Sequence, residues 1–141
     1  MIMKIIKILM VLIFYTVVFT GLGFAQEADK KVYKVPVDTR GIQRVNILGG
    51  GYFFDPNYII VKVNMPVEFI VKKEPGITPH TIVIKAPEAG IEVKESLETE
   101  PKVIRFTPKK SGKFPFYCDK GLPLTKSHRE RGMEGILEVT E

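Results

Sequence analysis

The sequence is poor in cysteine, histidine and tryptophan. Its 141 residues include one cysteine, two histidines and no tryptophan. A single cysteine cannot form a disulfide within the chain, so this is not a disulfide-stabilised scaffold. Apolar residues make up 45% of the chain, which is typical of a globular protein, and the length suits one domain rather than two.

A strong excess of one charge sign is also missing. The chain has 21 basic and 16 acidic residues, a formal net charge of +5. Lys4 and Lys7 lie in residues 1–25, which hold no acid, so residues 26–141 carry only +3. So small a charge does not predict nucleic-acid binding, and the many acidic residues argue against a polybasic membrane binder.

Residues 1–25 have the pattern of a signal peptide. Two lysines precede the apolar run 8–24, and small residues precede a cleavage site between Ala25 and Gln26. We expect cleavage there, which leaves residues 26–141 as a single domain in the periplasm or another extracytoplasmic space. The alternative is a retained membrane anchor, because the apolar run approaches the roughly 20 residues that span a bilayer. We expect membrane contact only in that case.

The rest of the chain is predicted to form short strands. Runs rich in Val, Ile and Phe alternate with Gly, Pro and Asn, and no segment shows sustained helical periodicity. The predicted strands are 32–37, 43–48, 58–63, 67–73, 80–85, 103–107, 114–118 and 136–140. One helical turn is predicted at 126–131, with Thr125 as its N-cap. Seven to eight strands predict an all-β fold, an antiparallel β-sandwich.

Alternation along these strands places three metal donors on core-facing rows. Side chains two residues apart share one face of a strand, so His80, Cys118 and Met133 each end an apolar row. Each residue taken alone has a simpler explanation as a packed core side chain. A lone exposed thiol outside the cytoplasm is an oxidation hazard, however, so Cys118 is expected to be either buried and inert or bound to a metal.

Together with His128, these residues match a copper site. Copper that cycles between its +1 and +2 states favours a thiolate, two imidazoles and a weak axial thioether. Both histidines and the only cysteine of the chain fall in this pattern. The sequence therefore predicts one copper per chain, bound by His80, Cys118 and His128 and more weakly by Met133.

Several motifs between residues 52 and 139 are shared with one known family. Thr78-Pro79-His80 matches a loop that carries a first histidine ligand, the run 112–118 matches a hairpin that leads to a cysteine ligand, and Met133 with Gly135 matches an axial ligand before a final strand. In these motifs the chain resembles the cupredoxins, the blue-copper proteins. The resemblance implies a Greek-key sandwich that binds one copper through the four residues named above.

The sequence departs from the family pattern in two places. Nine residues separate Cys118 from His128, where family members usually have fewer. A longer loop holds His128 less firmly and leaves Asp119 or Glu130 as competing oxygen ligands. Thr81 stands where the family often has Asn, and a single hydroxyl can form fewer of the hydrogen bonds that lock the ligand loops together.

One-electron transfer is the function that these features favour. Copper nitrite reductases and multicopper oxidases need further histidines for a second copper, and a dinuclear electron-entry centre needs two cysteines; this chain has neither. A four-ligand site without an open position leaves electron transfer, so we expect a carrier and not an enzyme. The alternative is copper handling, that is, storage, resistance or delivery, because a looser site releases metal more readily.

The loop around His128 predicts how partners bind. An apolar segment, residues 122–124, is surrounded by four basic residues, Lys120, Lys126, Arg129 and Arg131. An apolar centre with a charged rim is typical of transient docking, so we expect redox partners with an acidic surface. Nucleic acid is not expected, and the chain is expected to be a monomer. Electrons are expected to leave through His128, with Tyr117 as the weaker alternative exit.

Overall fold

The computed structural model describes residues 30–141. The predicted signal peptide, residues 1–25, lies outside the described residues, so both its cleavage and the alternative of an anchor stay predictions. Among residues 30–141, no helix combines the length and the apolar character that a membrane crossing requires.

Ten strands in the described part of the chain form two packed sheets. They are β1 Val32–Lys34, β2 Gln43–Gly50, β3 Phe53–Asp55, β4 Tyr58–Lys62, β5 Val67–Lys73, β6 His80–Ala86, β7 Ile91–Leu97, β8 Lys102–Phe106, β9 Gly112–Tyr117 and β10 Glu134–Thr140. One sheet has the order β1-β4-β10-β9-β6-β7 and the other has the order β3-β2-β5-β8. A 3₁₀ turn at Pro87–Ala89 joins β6 to β7. The all-β sandwich that the sequence predicted is confirmed.

The core lies between the sheets and follows the alternation of the strands. In β5, the buried row contains Val67, Phe69 and Val71, while the residues between them are more exposed. Phe54 and Phe116 come from opposite sheets, and their rings meet edge to face at 5.3 Å between centroids. Such burial of apolar side chains provides the main stabilisation of a chain without disulfides.

The pairing of the strands differs from the all-antiparallel pattern that the sequence predicted. Three pairs, β1–β4, β4–β10 and β2–β5, are parallel. Within residues 30–141 the chain crosses from one sheet to the other six times, between β1 and β2, β3 and β4, β4 and β5, β5 and β6, β7 and β8, and β8 and β9. Because strands brought together by such crossings are not joined by a tight turn, they are free to run in the same direction.

The sequence analysis missed two strands and predicted one helical turn that is not helical. β3 has only three residues, and it pairs with β2 across a turn at Gly51 and Tyr52. β7 carries a readable alternation, with Ile91 and Val93 buried and the residues between them exposed. The segment predicted as a helical turn forms hydrogen-bonded turns over residues 127–132.

Three strand ends meet at one end of the sandwich. β6 begins at His80, β9 ends one residue before Cys118, and β10 begins one residue after Met133. The antiparallel register of β9 and β10 pairs Tyr117 with Glu134, so Cys118 and Met133 are the next pair in line. The Cys118 N–H donates to the Met133 carbonyl oxygen at 3.0 Å. The sheet itself therefore brings these residues together.

Candidate metal centre

Three of the predicted donors lie within bonding reach of one ion. The ligand atoms of His80, Cys118 and His128 all lie within 4.8 Å of one another. The two histidine Nδ1 atoms are 3.2 Å apart, and the Cys118 Sγ atom is 3.5 Å from His128 Nδ1. Nitrogen and sulfur ligands at about 2.0–2.3 Å from a metal in a trigonal plane stand about 3.5–4 Å apart. The donor geometry therefore fits a single trigonal ion.

Both imidazoles are favoured in the neutral form that binds metals. Burial lowers the pKa of His80, and the nearby His128 and Lys73 lower it further. Burial also lowers the pKa of His128, with a further contribution from the positive charge of Arg131. Because a metal needs the unprotonated ring nitrogen, these surroundings prepare both histidines as ligands.

Met133 is buried beside this group. Its side chain has no exposed surface, and its backbone N–H donates to the His128 carbonyl oxygen at 2.9 Å. A Cβ atom on Gly49 would lie 3.3 Å from Met133 Cε and only 2.6 Å from Leu97 Cδ1. A glycine at this position therefore leaves room chiefly for Leu97 and also for the end of the Met133 side chain. The role of the Met133 thioether as a weak ligand stays a prediction.

The loop that carries His128 is held by three reciprocal hydrogen bonds between Ser127 and Glu130. The Glu130 carboxylate accepts from the N–H and the hydroxyl of Ser127, each at 2.7 Å, and the Ser127 hydroxyl oxygen accepts from the Glu130 N–H at 3.2 Å. This is a capping box built on the Ser-x-x-Glu spacing, a signal that the sequence analysis did not use. The His128 N–H also donates to the Lys120 carbonyl oxygen at 2.8 Å.

The two carboxylates that were expected to compete for the metal are engaged elsewhere. Glu130 is bound to Ser127, and Asp119 accepts from the Thr81 hydroxyl and from Lys94, each at 2.7 Å. These two donors lower the pKa of Asp119, with Lys94 having the larger effect. Among residues 30–141, the group of ligand atoms contains neither carboxylate.

Thr81 contacts the cysteine directly. Although Thr81 follows His80 on β6 and so has the opposite strand parity, its side chain is also buried. Its N–H donates to Cys118 Sγ at 3.4 Å, and its hydroxyl oxygen accepts from the Asp119 N–H at 3.1 Å. Thr81 and Asp119 therefore join the two loops by two hydrogen bonds, although a single hydroxyl was expected to form fewer such bonds than Asn.

Comparison with known proteins supports the fold. No family model matches the chain, and no curated protein matches its sequence. The metal-binding domain of the Cu(I)-exporting P-type ATPase CopA of Streptococcus pneumoniae D39, solved with Cu(I), is 25% identical at a TM-score of 0.59; the match covers 79% of this chain and 98% of that domain. A copper-binding protein in its apo form is 24% identical at a TM-score of 0.56, over 77% of this chain and 96% of its own. Dithionite-reduced auracyanin from Roseiflexus castenholzii is 17% identical at a TM-score of 0.56, over 70% and 97%.

The chain has a cupredoxin-like fold. In this cupredoxin-like domain, the ligand-bearing loops cluster at the end of the sandwich where β6 begins and β9 ends. The resemblance that the sequence motifs indicated is thereby confirmed at the level of the fold.

Tyr52 is a site residue that the sequence analysis missed. Its ring meets the His128 ring edge to face at 5.0 Å between centroids and lies 6.5 Å from the His80 ring. The Arg131 guanidinium covers the same tyrosine ring at 5.0 Å. Tyr52 adopts a φ of 66°, which is unusual for a non-glycine residue and turns its side chain towards the histidines. The sequence offered only the preceding run of three glycines as a signal.

Exposed apolar side chains surround the His128 end of the cupredoxin-like domain. Leu124 and Ile77 are fully exposed and Leu122 is 73% exposed, and a cleft beside His128 is lined by Ile77, Leu122 and Tyr52. We call Ile77, Leu122 and Leu124 the apolar patch. Ile77 extends the apolar segment that the sequence indicated.

Tyr117, which the sequence analysis named as the weaker of two possible electron exits, is half-buried. The Arg129 guanidinium covers its ring at 4.2 Å.

Proposed function

We propose that the protein binds one copper ion through His80, Cys118 and His128, with Met133 as a weak fourth ligand, and carries single electrons. The observation that supports this best is the meeting of one cysteine sulfur and two imidazole rings, whose ligand atoms lie within 4.8 Å of one another. This donor set suits both oxidation states of copper, and the ion supplies a one-electron couple when it is bound.

The surroundings of the donors support a carrier. Cys118 and Met133 have no exposed surface and His80 has 5%, so water has little access to these donors. Strand ends fix the same three residues, which keeps their positions similar in both oxidation states. With four protein ligands the site keeps no open position for a substrate, so we propose electron transfer and not an enzymatic reaction.

The second candidate is copper handling, and two observations favour it. His128 is half-exposed and lies on a loop rather than on a strand, so this ligand is the one most able to leave the metal. In addition, the structure with 25% identity to this chain is a domain of a Cu(I)-exporting ATPase, solved with Cu(I). In either function we propose that the protein works outside the cytoplasm, in the periplasm or an equivalent space.

Copper loading, visible spectroscopy and voltammetry on one sample test the proposal. We expect one copper per chain, an intense thiolate-to-copper absorption and a reversible one-electron wave. Cys118→Ser removes the soft thiolate and should abolish the absorption, while an unchanged spectrum contradicts the assignment. Tight Cu(I) binding without a reversible wave would favour copper handling.

We further propose that redox partners dock on the apolar patch through an acidic surface. Lys120, Lys126, Arg129 and Arg131 lie within or just after the same loop, and they outnumber Asp119 and Glu130, so this segment carries a net positive charge. The transfer rate to a partner should fall as ionic strength rises, because salt screens such attraction beyond about 10 Å at 0.1 M. Stopped-flow rates that do not change with salt would contradict this docking mode. The protein is proposed to act as a monomer.

A further inference from the structure

The Thr81 hydroxyl has one proton and two acceptors within reach. The Asp119 Oδ1 atom lies 2.7 Å from the hydroxyl oxygen, whereas Cys118 Sγ lies 3.6 Å from it. A hydrogen bond to a carboxylate is shorter and stronger than one to sulfur. The proton therefore belongs to the bond with Asp119, and the Cys118 sulfur keeps the Thr81 backbone N–H as its donor from that residue.

A second contact holds the carboxylate in place. Lys94, on β7, donates to the other carboxylate oxygen of Asp119 at 2.7 Å, and the Asp119 N–H donates to the Thr81 hydroxyl oxygen at 3.1 Å. The Thr81 hydroxyl thus accepts a hydrogen bond from the Asp119 N–H and donates one to the Asp119 carboxylate. This exchange of two hydrogen bonds fixes the direction in which the hydroxyl points.

We propose that Asp119 is a positioning residue that withholds the Thr81 hydroxyl proton from the Cys118 sulfur and thereby keeps the reduction potential of the site low. The inference rests on the proposed copper function. A hydrogen bond donated to a thiolate stabilises its negative charge, which is greater when the metal is reduced, so such a bond raises the potential. Without the Asp119 acceptor, the hydroxyl is free to turn to sulfur.

A double-mutant cycle separates two effects of Asp119 on the reduction potential: its hold on the Thr81 hydroxyl and its negative charge. Asp119→Ala removes both the acceptor of the Thr81 hydroxyl proton and one negative charge. In a Thr81→Val background there is no hydroxyl, so Asp119→Ala removes only the charge. We expect D119A to raise the midpoint potential more in the wild-type background than in the T81V background. The expected excess is a threefold to tenfold preference for the reduced state, where tenfold corresponds to 59 mV for a one-electron couple. Equal shifts in the two backgrounds overturn the proposal.

Two further measurements keep the test decisive. The variant T81S keeps the hydroxyl, so the T81S/D119A protein should show the full shift even if valine disturbs the buried site. In the metal-free protein, proton NMR should show the slowly exchanging Thr81 hydroxyl, and D119A should move its resonance. A resonance that D119A leaves in place contradicts the assignment of the proton.

The copper function and the role of Asp119 can be tested separately. If wild-type protein takes up no copper, the proposed function is wrong, and the NMR signal alone decides where the hydroxyl proton lies. If copper binds and the potential shifts equally in both backgrounds, the function stands and the role of Asp119 is wrong.

Discussion

Strands hold three of the proposed ligands, and a loop holds the fourth. His80 is the first residue of β6 and pairs with Leu97 of β7, while Cys118 and Met133 extend the pairing of β9 with β10. Their positions follow from the hydrogen-bond ladders of a six-stranded sheet. A shift in any of these residues would disturb a strand, so this side of the site is as stable as the sandwich itself.

His128 has no strand neighbour and depends on short-range contacts. Its backbone is held by Lys120 and Met133, its loop by the capping box of Ser127 and Glu130, and its ring by Tyr52. None of these contacts belongs to a strand ladder, and Ser127, Glu130 and Tyr52 are all partly exposed to water. We therefore expect the sheet to set the stability of the fold and the His128 loop to adjust the affinity for the metal.

Two glycines provide a matched test of this difference. A Cβ atom on Gly135, in β10, would lie 2.4 Å from the Asn57 carbonyl oxygen and 2.3 Å from Phe116 Cζ. A Cβ atom on Gly121, in the loop, would lie 3.0 Å from Ser127 Cα. We expect Gly135→Ala to reduce the free energy of unfolding by about 3 kcal/mol, because the sheet cannot move aside.

Gly121→Ala should change the free energy of unfolding by less than about 1 kcal/mol and lower the copper affinity by up to about tenfold, because Ser127 shifts together with His128. Chemical denaturation and copper titration of both variants make the measurement. If both variants lose the same free energy of unfolding, the loop is as rigid as the sheet, which contradicts the difference inferred between them.

The ligand role of His128 can be separated from the support of its loop. His128→Ala should lower the copper affinity by more than about 100-fold, because imidazole suits both oxidation states. Glu130→Ala and Asp119→Ala should each lower it by about tenfold or less, since their carboxylates contact Ser127, Thr81 and Lys94 instead of the donor group. Competition titration with a copper chelator compares the three variants, and equal losses would show that the ligand set is wrong.

The smallest effect concerns the exit of electrons. Replacing Leu122 and Leu124 together with serine removes the exposed centre of the apolar patch and should slow transfer to the partner about fivefold, which corresponds to roughly 1 kcal/mol. Tyr117→Leu should slow it less, because the Arg129 guanidinium covers the tyrosine ring. Stopped-flow rates on copper-loaded variants decide the order. A larger effect of Tyr117→Leu would place docking away from the loop.

Much of the sandwich could be predicted because alternation is a local property of the sequence. The pattern placed His80, Cys118 and Met133 on core-facing rows, and all three are buried. Alternation would also have predicted β7, whose burial alternates from Ile91 onwards. It could not have predicted β3, because three residues are too few to show a period.

Contacts between distant residues were not accessible from local patterns. The ring of Tyr52 lies between His128 and Arg131, and neither is near it in the sequence. Likewise, β4 and β10 are parallel neighbours although residues 63–133, half of the chain, lie between them. The bond between Thr81 and Asp119 depends on the approach of β6 to the end of β9, which no strand pattern reveals.

The central position of β10 in its sheet governs the order in which the molecule can assemble. β10 lies between β4 and β9, and the Tyr58 hydroxyl donates to the Glu138 carboxylate at 2.5 Å across 80 residues of sequence. Topologies dominated by such distant pairings fold in milliseconds to seconds, because long loops must close before any contact compensates for the lost entropy. Cys118 and Met133 reach their final places only when β10 docks. The metal centre is therefore complete only once β10 has docked, and an ion that binds only the completed site stabilises the native chain over every form that lacks it.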